Sequence, residues 1–367
     1  MRNLSLVKDL LKKVTVTMTA FALTGALLTG CGNSANAGSN GKAESESSSS
    51  ESKDEESKKI RIGCVGQGNV LGAAVGVADE LGYMKEELEK VGYDYEIIGF
   101  AQAGPAVNEA FAAGEIDLAF YGDLPGTVCK ANGTDTTIFA TYDSKMQMGI
   151  FVRDGVDDIK SAADLPGHKT IVARGTIFHQ YFNSIIKDAG VEEDDIEQIN
   201  TFSDANSLIS SGDADVLITS TSIAYYLESL GLGKLVADST GEDRLSSQFF
   251  GIGKTDFLKA NKEAVKAIIK AMLRGKEEVI ANPDEAYKIW ADRQDGYTPE
   301  IFEKEHAYDS TFDSFSPGFT DQTYEKLDAL NSFLVEEGLI GEAPDPHEFI
   351  DETYYNEAIE EYEAENK

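Results

Sequence analysis

The stretch "KTIVARGTIFHQYFNSIIKDAG", residues 169–190, is a complete strand, turn and helix. Its first residues are β-branched and apolar, and Gly175 then lets the backbone turn and pass close to a neighbour. Thr176 is placed to cap the helix while offering a hydroxyl. Beyond it, Ile177, Phe178, Tyr181, Phe182, Ile185 and Ile186 recur at helical spacing and form one apolar side. His179 lies one turn along on the side of Thr176, and Arg174 stands just before the turn, where its charge suits an anion. Ordinary capping, a structural histidine and a solvated arginine account for the same residues, so the unit fixes the fold class before it fixes a role.

The same pattern opens the folded body in "IRIGCVGQGNVLGAAV", residues 60–75. A strand runs into glycines and a helix start, where free backbone N–H groups favour anions. Gly66, Gly68 and Gly72 give G-x-G-x-x-x-G, one residue longer than the dinucleotide fingerprint. The next strand, "YEIIGF" (95–100), ends on an apolar residue where that fingerprint needs an acid. No nucleotide cofactor, and no other cofactor, is expected. The turn is either a small-ligand site using Gln67, Gly68 and Asn69 or a flexible turn with no ligand.

Short β runs and longer helical stretches alternate from there, which points to parallel sheets in an α/β body. Strands are expected at 59–65, 95–100 and 117–122, then at 148–153, within 169–175, at 195–202 and 214–220, with "GKLVADS" as an edge strand and "SQFFGIGK" returning to the first lobe. From Asp256 onward the pattern is helical. The expected organisation is one lobe from 58–144 with 249–367, a second lobe from 145–248, two crossing strands between them, and a helical C-terminal tail. Two further turns lie at strand ends: "FYGDLPG" (120–126), with Gly122 and Asp123, and "TSTS" (219–222), with Thr219, Ser220 and Thr221. In open α/β sheets ligands gather outside the carboxyl ends of strands, so all these segments can face one crevice. Asp123 either caps its helix, with Pro125 near the first helical position, or accepts from a ligand amine.

The N-terminus has a different character. Arg2, Lys8, Lys12 and Lys13 precede a mostly apolar run from Val14 to Leu28, too short and polar for a membrane span, so residues 1–30 are expected to be an export signal. Residues 31–57 are Gly-, Ser- and Glu-rich with no apolar periodicity, as in a disordered tether. Removing residues 1–30 takes away four basic residues and one acidic, leaving 28 against 64, a net charge of −36. That excess argues against nucleic acid and against anionic lipid surfaces. Cys64, in an apolar strand, and Cys129, in a helix, are expected as buried free thiols.

Catalytic patterns are missing from the sequence. The four histidines show no metal spacing, and there is no H-E-x-x-H and no G-x-S-x-G elbow. A binding protein and not an enzyme is expected, with His179 the one candidate were the chain catalytic.

"SAADLPGHKTIVARGTIFHQYFNSIIKDAGV" resembles the "DL-x-GK-x-(I/V)-x-x-x-G(S/T)-x-x-H" segment of the sulfonate/nitrate/taurine-type substrate-binding proteins of ABC importers, through Asp164, Leu165, Gly167, Lys169, Gly175, Thr176 and His179. "EIDLAFYGDLP" is similar to that family's "G-(D/E/S)-x-P" turn, and "GFAQAGPAVNEAFAAGEID", which includes Gly104, to its following helix pattern. The tail "LNSFLVEEGLIGEAPDPHEFIDETYYNEA" also follows the family's usual ending. The resemblance runs from Lys58 to the C-terminus. It implies a two-lobed, type II periplasmic-binding-protein-like fold that holds its ligand between the lobes. Gly68, Gly104, Gly122, Asp123, Gly175, Thr176 and the 219–221 segment would then contribute to the site, with Phe249 available to stack on a ring. Where many relatives carry a Trp-Asp-Pro-like stretch this chain has Thr219-Ser220-Thr221, implying a hydroxyl-lined wall. Leu28-Thr29-Gly30-Cys31 resembles the bacterial lipobox, implying a diacylglycerol anchor on Cys31 at the extracellular face of the cell membrane. The implied partners are ABC permease subunits, the protein itself being a monomer. The implied ligand is a small sulfonate, taurine or nitrate. The alternatives are a heteroaromatic vitamin precursor, such as the thiamine pyrimidine or riboflavin, and an enzyme on the same fold. The negative charge of the chain favours a zwitterion, with Asp123 facing its ammonium.

Overall fold

The computed structural model describes residues 58–367 except Gln67. The segments expected as an export signal (1–30) and a tether (31–57), Cys31 among them, and Gln67 lie outside the described residues. In the first half the elements are β1 (Lys58–Val65), α1 (Ala73–Glu80), α2 (Tyr83–Lys90), β2 (Tyr93–Phe100), α3 (Ala103–Ala113), β3 (Leu118–Gly122), α4 (Asp123–Ala131), β4 (Thr136–Met146), β5 (Met148–Arg153), β6 (Lys169–Ile171) and α5 (Ile177–Ala189). Then come β7 (Glu197–Ile199), α6 (Ala205–Ser211), β8 (Val216–Ser220), α7 (Thr221–Ser229), β9 (Gly233–Asp238) and β10 (Ser247–Lys254). The rest is helical: α8 (Thr255–Ala260), α9 (Lys262–Ala281), α10 (Pro283–Asp292), α11 (Pro299–Glu305), α12 (Asp321–Glu336), α13 (Pro346–Phe349) and α14 (Thr353–Glu365).

Two five-stranded sheets result, ordered β2-β1-β3-β10-β4 and β7-β6-β8-β5-β9. Position for position the two orders are the same. Three parallel strands are followed by one antiparallel strand and an outer strand. In each sheet the antiparallel strand is the one delivered from the other sheet. β5 follows β4 after the single residue Gln147, and β10 arrives from β9 through residues 239–246. This is the α/β two-lobed architecture that the sequence pattern implies.

β3 is buried along its whole length, which is why it reads as an apolar run and not as an alternation. β6 is shorter than the apolar run "KTIVA", although the Val172 N–H still donates to Ile199 O at 3.0 Å. β4 was not anticipated from the sequence. It is buried on both faces over Thr136–Tyr142's first six positions and is interrupted by Thr, Asp and Ser, so it shows no period of two. One apolar core passes without a break from Val107, Tyr121 and Leu124 in the first lobe to Ile177, Phe182 and Ile218 in the second. Cys64 and Cys129 are buried free thiols, and burial pushes the Cys64 thiol up to about 11. Among the described residues no helix is long and apolar enough to cross a membrane.

Candidate functional site

A cavity of about 720 Å³ lies where the carboxyl ends of strands from both sheets meet helix starts. The first lobe brings the starts of α1 (Gly72, Ala73) and α3 (Ala103, Gly104), and the second brings those of α5 (Thr176, Ile177) and α7 (Ser220, Ser222). Each start leaves backbone N–H groups without helical partners, a set of partial positive charges suited to an anion. Ala73 and Ala103 hold φ of +48° and +60°, left-handed values that cost of order 1–3 kcal/mol for a non-glycine residue. Both sit where the helix must begin abruptly at the cavity wall.

On the second lobe, Thr176 accepts from Phe178 N–H at 3.2 Å and donates to Ala173 O at 2.6 Å. Ser220 accepts from Ile223 N–H at 3.4 Å, and its hydroxyl lies 3.1 Å from that of Ser222. Thr219, Ser220, Ser222, Thr201 and Ser203 make this wall hydroxylic. The lining from β4, β10 and the C-terminal helices is aromatic and acidic. Tyr142 packs on Phe249 with ring centroids 6.0 Å apart, and its hydroxyl oxygen accepts from Gly72 N–H at 2.6 Å at the mouth of α1. Asp143 follows it on β4, and Trp290, Arg293, Tyr297, Glu305 and His306 come from α10, α11 and the loops beside them. Tyr297 stacks on Tyr226 of α7 at 4.6 Å, joining the two lobes at the cavity rim.

The predicted site residues divide. Gly68, Gly104, Gly122, Thr176, Thr219, Ser220 and Phe249 line the cavity. A Cβ on Gly122 would fall 2.7 Å from Ile177 Cγ2, so this glycine permits the lobes to touch, while one on Gly104 would fall 2.3 Å from Pro125 Cγ. Gly175, with φ of +74°, stands at the turn into α5, its Cβ direction facing Pro105 of the first lobe. It does not line the cavity, nor do Asn69, Asp123, Arg174, His179 and Thr221. Asn69 is exposed, and its Oδ1 accepts from Gly99 N–H at 2.9 Å, tying the first turn to β2. The Arg174 guanidinium pairs with Glu193 and with Gln198 Oε1 at 3.0 Å, on the second lobe's surface. His179 is 2 % exposed with its ring edge-on to Phe333; burial pushes its pKa down. Thr221 is buried at the start of α7.

Asp123 differs from expectation in detail. The helix begins at Asp123 itself, with Gly122 as the cap and Pro125 two residues further in. Its carboxylate accepts from Leu124 N–H at 2.8 Å and Gln248 N–H at 3.2 Å, holding the start of β10. Burial pushes its pKa up to about 6 against these hydrogen bonds and the Lys326 charge.

Sequence reasoning missed Tyr142 and Asp143 because β4 went unread. It missed Trp290 to His306 because they lie in a helical tail with no site pattern. A signal was available: the chain's single tryptophan sits among Tyr287, Tyr297, Phe302, Tyr308, Phe312 and Phe315, an aromatic density unusual for a solvated tail. Among the described residues no group of three or more His, Cys, Asp or Glu side chains converges as a metal site.

The chain is 31 % identical over 114 residues to a protein of Escherichia coli (strain K12) named for aliphatic sulfonate binding; the match covers 31 % of this chain and 36 % of that protein. The chain thus spans about a third of the length of that curated relative. Among solved structures, a periplasmic sulfonate-binding protein SsuA from Methylobacillus flagellatus KT superposes with a TM-score of 0.69 at 24 % identity, covering 84 % of this chain and 96 % of the other. The desulfurization enzyme DSZB superposes with a TM-score of 0.65 at 14 % identity, covering 83 % and 99 %. These likenesses establish the two-lobed periplasmic-binding-protein fold, a fold that an enzyme shares. The model of the family described as NMT1/THI5 like matches residues 72–286, more than half of the sequence, and the chain belongs to that family.

Proposed function

We propose that the chain is the solute-binding component of an ABC importer, holding a small organosulfonate, of the zwitterionic taurine class, between its lobes. The observation that carries this reading is the convergence of helix starts from both lobes on one cavity, with hydroxyls on one wall. Such a site binds an anionic head group through N–H and O–H donors, and each lobe supplies part of the set. Hinge closure then completes the site, so binding and the signal to the permease are one population shift. A long-range repulsion from the acidic chain is screened over about 8 Å at physiological salt, whereas the donors act at contact. The names of the sulfonate-binding relatives support the same ligand class. The site residues of the proposal are those lining the cavity, Thr176, Thr219, Ser220 and Phe249 first among them, with Gln67, next to Gly68 in the sequence, as a further candidate. Catalysis is not part of it: His179 is buried away from the cavity.

We place the protein at the extracellular face of the cell membrane, anchored through lipid on Cys31. Labelling with a radioactive fatty acid that fails in Cys31→Ser supports the anchor; equal labelling removes it. A second reading, a heteroaromatic such as a pyrimidine, is favoured by the rings of Tyr142, Phe249, Tyr226 and Tyr297 around the cavity. A thermal-shift and calorimetric screen with taurine, ethanesulfonate, nitrate, riboflavin and the thiamine pyrimidine separates the two. A response to sulfonates upholds the proposal; a response to a ring compound with none to any sulfonate overturns it.

A further inference from the structure

We propose that Asp143 and Glu305 form a cation-recognising wall of the interlobe cavity, so that the ligand carries a protonated nitrogen. The inference rests on the solute-binding reading above and specifies the chemistry at the end of the ligand that faces β4 and the end of α11.

Asp143 is 6 % exposed and lines the cavity from β4. Its Oδ1 accepts from Lys145 N–H at 2.9 Å, and among the described residues no donor reaches Oδ2. Glu305, the last residue of α11, lines the same cavity with a side chain 11 % exposed. Tyr308 lies near both, its phenol pKa raised first by burial and then by each carboxylate, while its hydroxyl donates to Lys145 O at 2.9 Å. Buried carboxylates without a paired counter-charge are costly, and among the described residues no lysine or arginine pairs directly with either one, the Lys326 charge acting on Asp143 only from a distance. The lining includes one guanidinium, Arg293, and it is engaged by Asp79, by Glu80 at 3.5 Å and by Gly76 O at 2.7 Å.

Nearby ammonium groups are also committed. Lys326 donates to Ser144 O at 3.1 Å and Ser246 Oγ at 2.8 Å, and Lys145 pairs with Asp243 at 3.1 Å. His306, beside Glu305, is 8 % exposed and lines the cavity, and its Nδ1 has no partner among the described residues. Burial pushes its pKa down to about 4, so it is neutral and adds no positive charge. A polar atom left open in the same wall is a second mark of a site awaiting a ligand.

The titration behaviour agrees with this geometry. Burial pushes Asp143 up to about 7, with Asp309 adding to the rise and Lys326 and the Lys145 N–H opposing it. Burial also pushes Glu305 up to about 7, with the Asp143 charge adding and the Ser222 hydroxyl and N–H opposing. A bound cation favours the ionised carboxylates, so binding releases protons and tightens as pH rises through about 7.

The test is calorimetry on the full chain with taurine against ethanesulfonate, which lacks the nitrogen, for wild type, Asp143→Asn and Glu305→Gln. The expected result is a taurine preference of at least about tenfold at pH 8, falling to within about twofold in each variant. Taurine binding is expected to release protons, read from its enthalpy in buffers of different ionisation heat. Equal binding of the two sulfonates by wild type, or a preference that survives in both variants, overturns the inference. If no sulfonate binds, the sulfonate reading falls, and the comparison passes to 4-amino-5-hydroxymethyl-2-methylpyrimidine against its 4-hydroxy analogue. A preference there for the aminopyrimidine, bound with its ring nitrogen protonated as read from the ultraviolet spectrum of the complex, upholds the carboxylate wall, whereas its absence overturns it. Circular dichroism shows whether a variant folds; for one that does not, the wild-type ratio and its pH dependence decide.

Discussion

The two sheets share one strand order, yet the lobes bring opposite chemistry to the cavity. Both bring helix starts, but the second lobe adds hydroxyls, with Thr176, Thr219, Ser220 and Ser222. The first offers rings and carboxylates, and much of its wall comes from α10, α11 and the adjoining loops, which pack outside its sheet. A repeated sheet therefore fixes where a ligand goes, while the segments added to one copy fix what kind of ligand it is. The same division separates parts that hold the fold from parts that hold the ligand.

The strongest way to break that division is to remove the ring that serves both purposes. Trp290 is 3 % exposed, packs on Phe302, Phe315 and His306, and donates from Nε1 to Ala73 O at 3.0 Å. Trp290→Ala is expected to cost about 3–5 kcal/mol in urea unfolding. A cost below about 1 kcal/mol makes the aromatic wall an accessory of the site and not part of the first lobe's core.

Gly122 tests the contact between lobes. The Cβ of Gly122→Ala would meet Ile177 Cγ2 at 2.7 Å, so a loss of about 1–3 kcal/mol is expected. Ile177→Ala removes that methyl, and the double variant is expected to lose less than the sum of the two single losses. Strict additivity would show that the lobes do not press on one another there.

Asp143 separates the acid wall from the fold. Its pKa, about 7 when folded, lies above its ordinary value of 3.8, so the folded ligand-free protein holds the extra proton between those pH values. Its contribution to stability is therefore largest in acid and falls as pH rises through about 7, opposite to the usual carboxylate. Asp143→Asn is expected to raise ligand-free stability by about 2 kcal/mol at pH 8 and to change little at pH 4. Denaturant titrations at the two pH values read the sign, and a variant less stable than wild type at pH 8 contradicts it.

The smallest effect belongs to the hydroxyl wall. Ser220→Ala removes the cap of α7 and is expected to cost about 1 kcal/mol, with faster hydrogen exchange confined to α7. Faster exchange throughout both sheets would instead make Ser220 a member of the common core.

What the sequence disclosed follows from how local each signal is. Strand–turn–helix units are written in consecutive residues, so "KTIVARGTIFHQ" and "IRIGCVGQG" announced the fold class and several lining positions. Phe249 was placed at the site by its ring alone. The acid wall was illegible because Asp143 and Glu305 are 162 positions apart and meet only in the folded chain. Asp123 and Arg174 show the converse limit. Their chemistry suited a ligand, but backbone N–H groups engage one and Glu193 the other, partners that spacing does not reveal.

The placement of β10 has a consequence for the order in which the protein is made. Every strand of the second sheet is encoded between Met148 and Asp238, one continuous stretch, whereas the first sheet needs β10 between β3 and β4. Synthesis delivers β1 to β4 before β10, so the first lobe cannot be the first to finish. β3 waits with one unpaired edge, and β4 without a strand partner, until Lys254 has emerged, while the middle of the chain already has all its strands. The older residues are completed by the younger ones, and the interval between them is when the nascent protein is most exposed to mispairing.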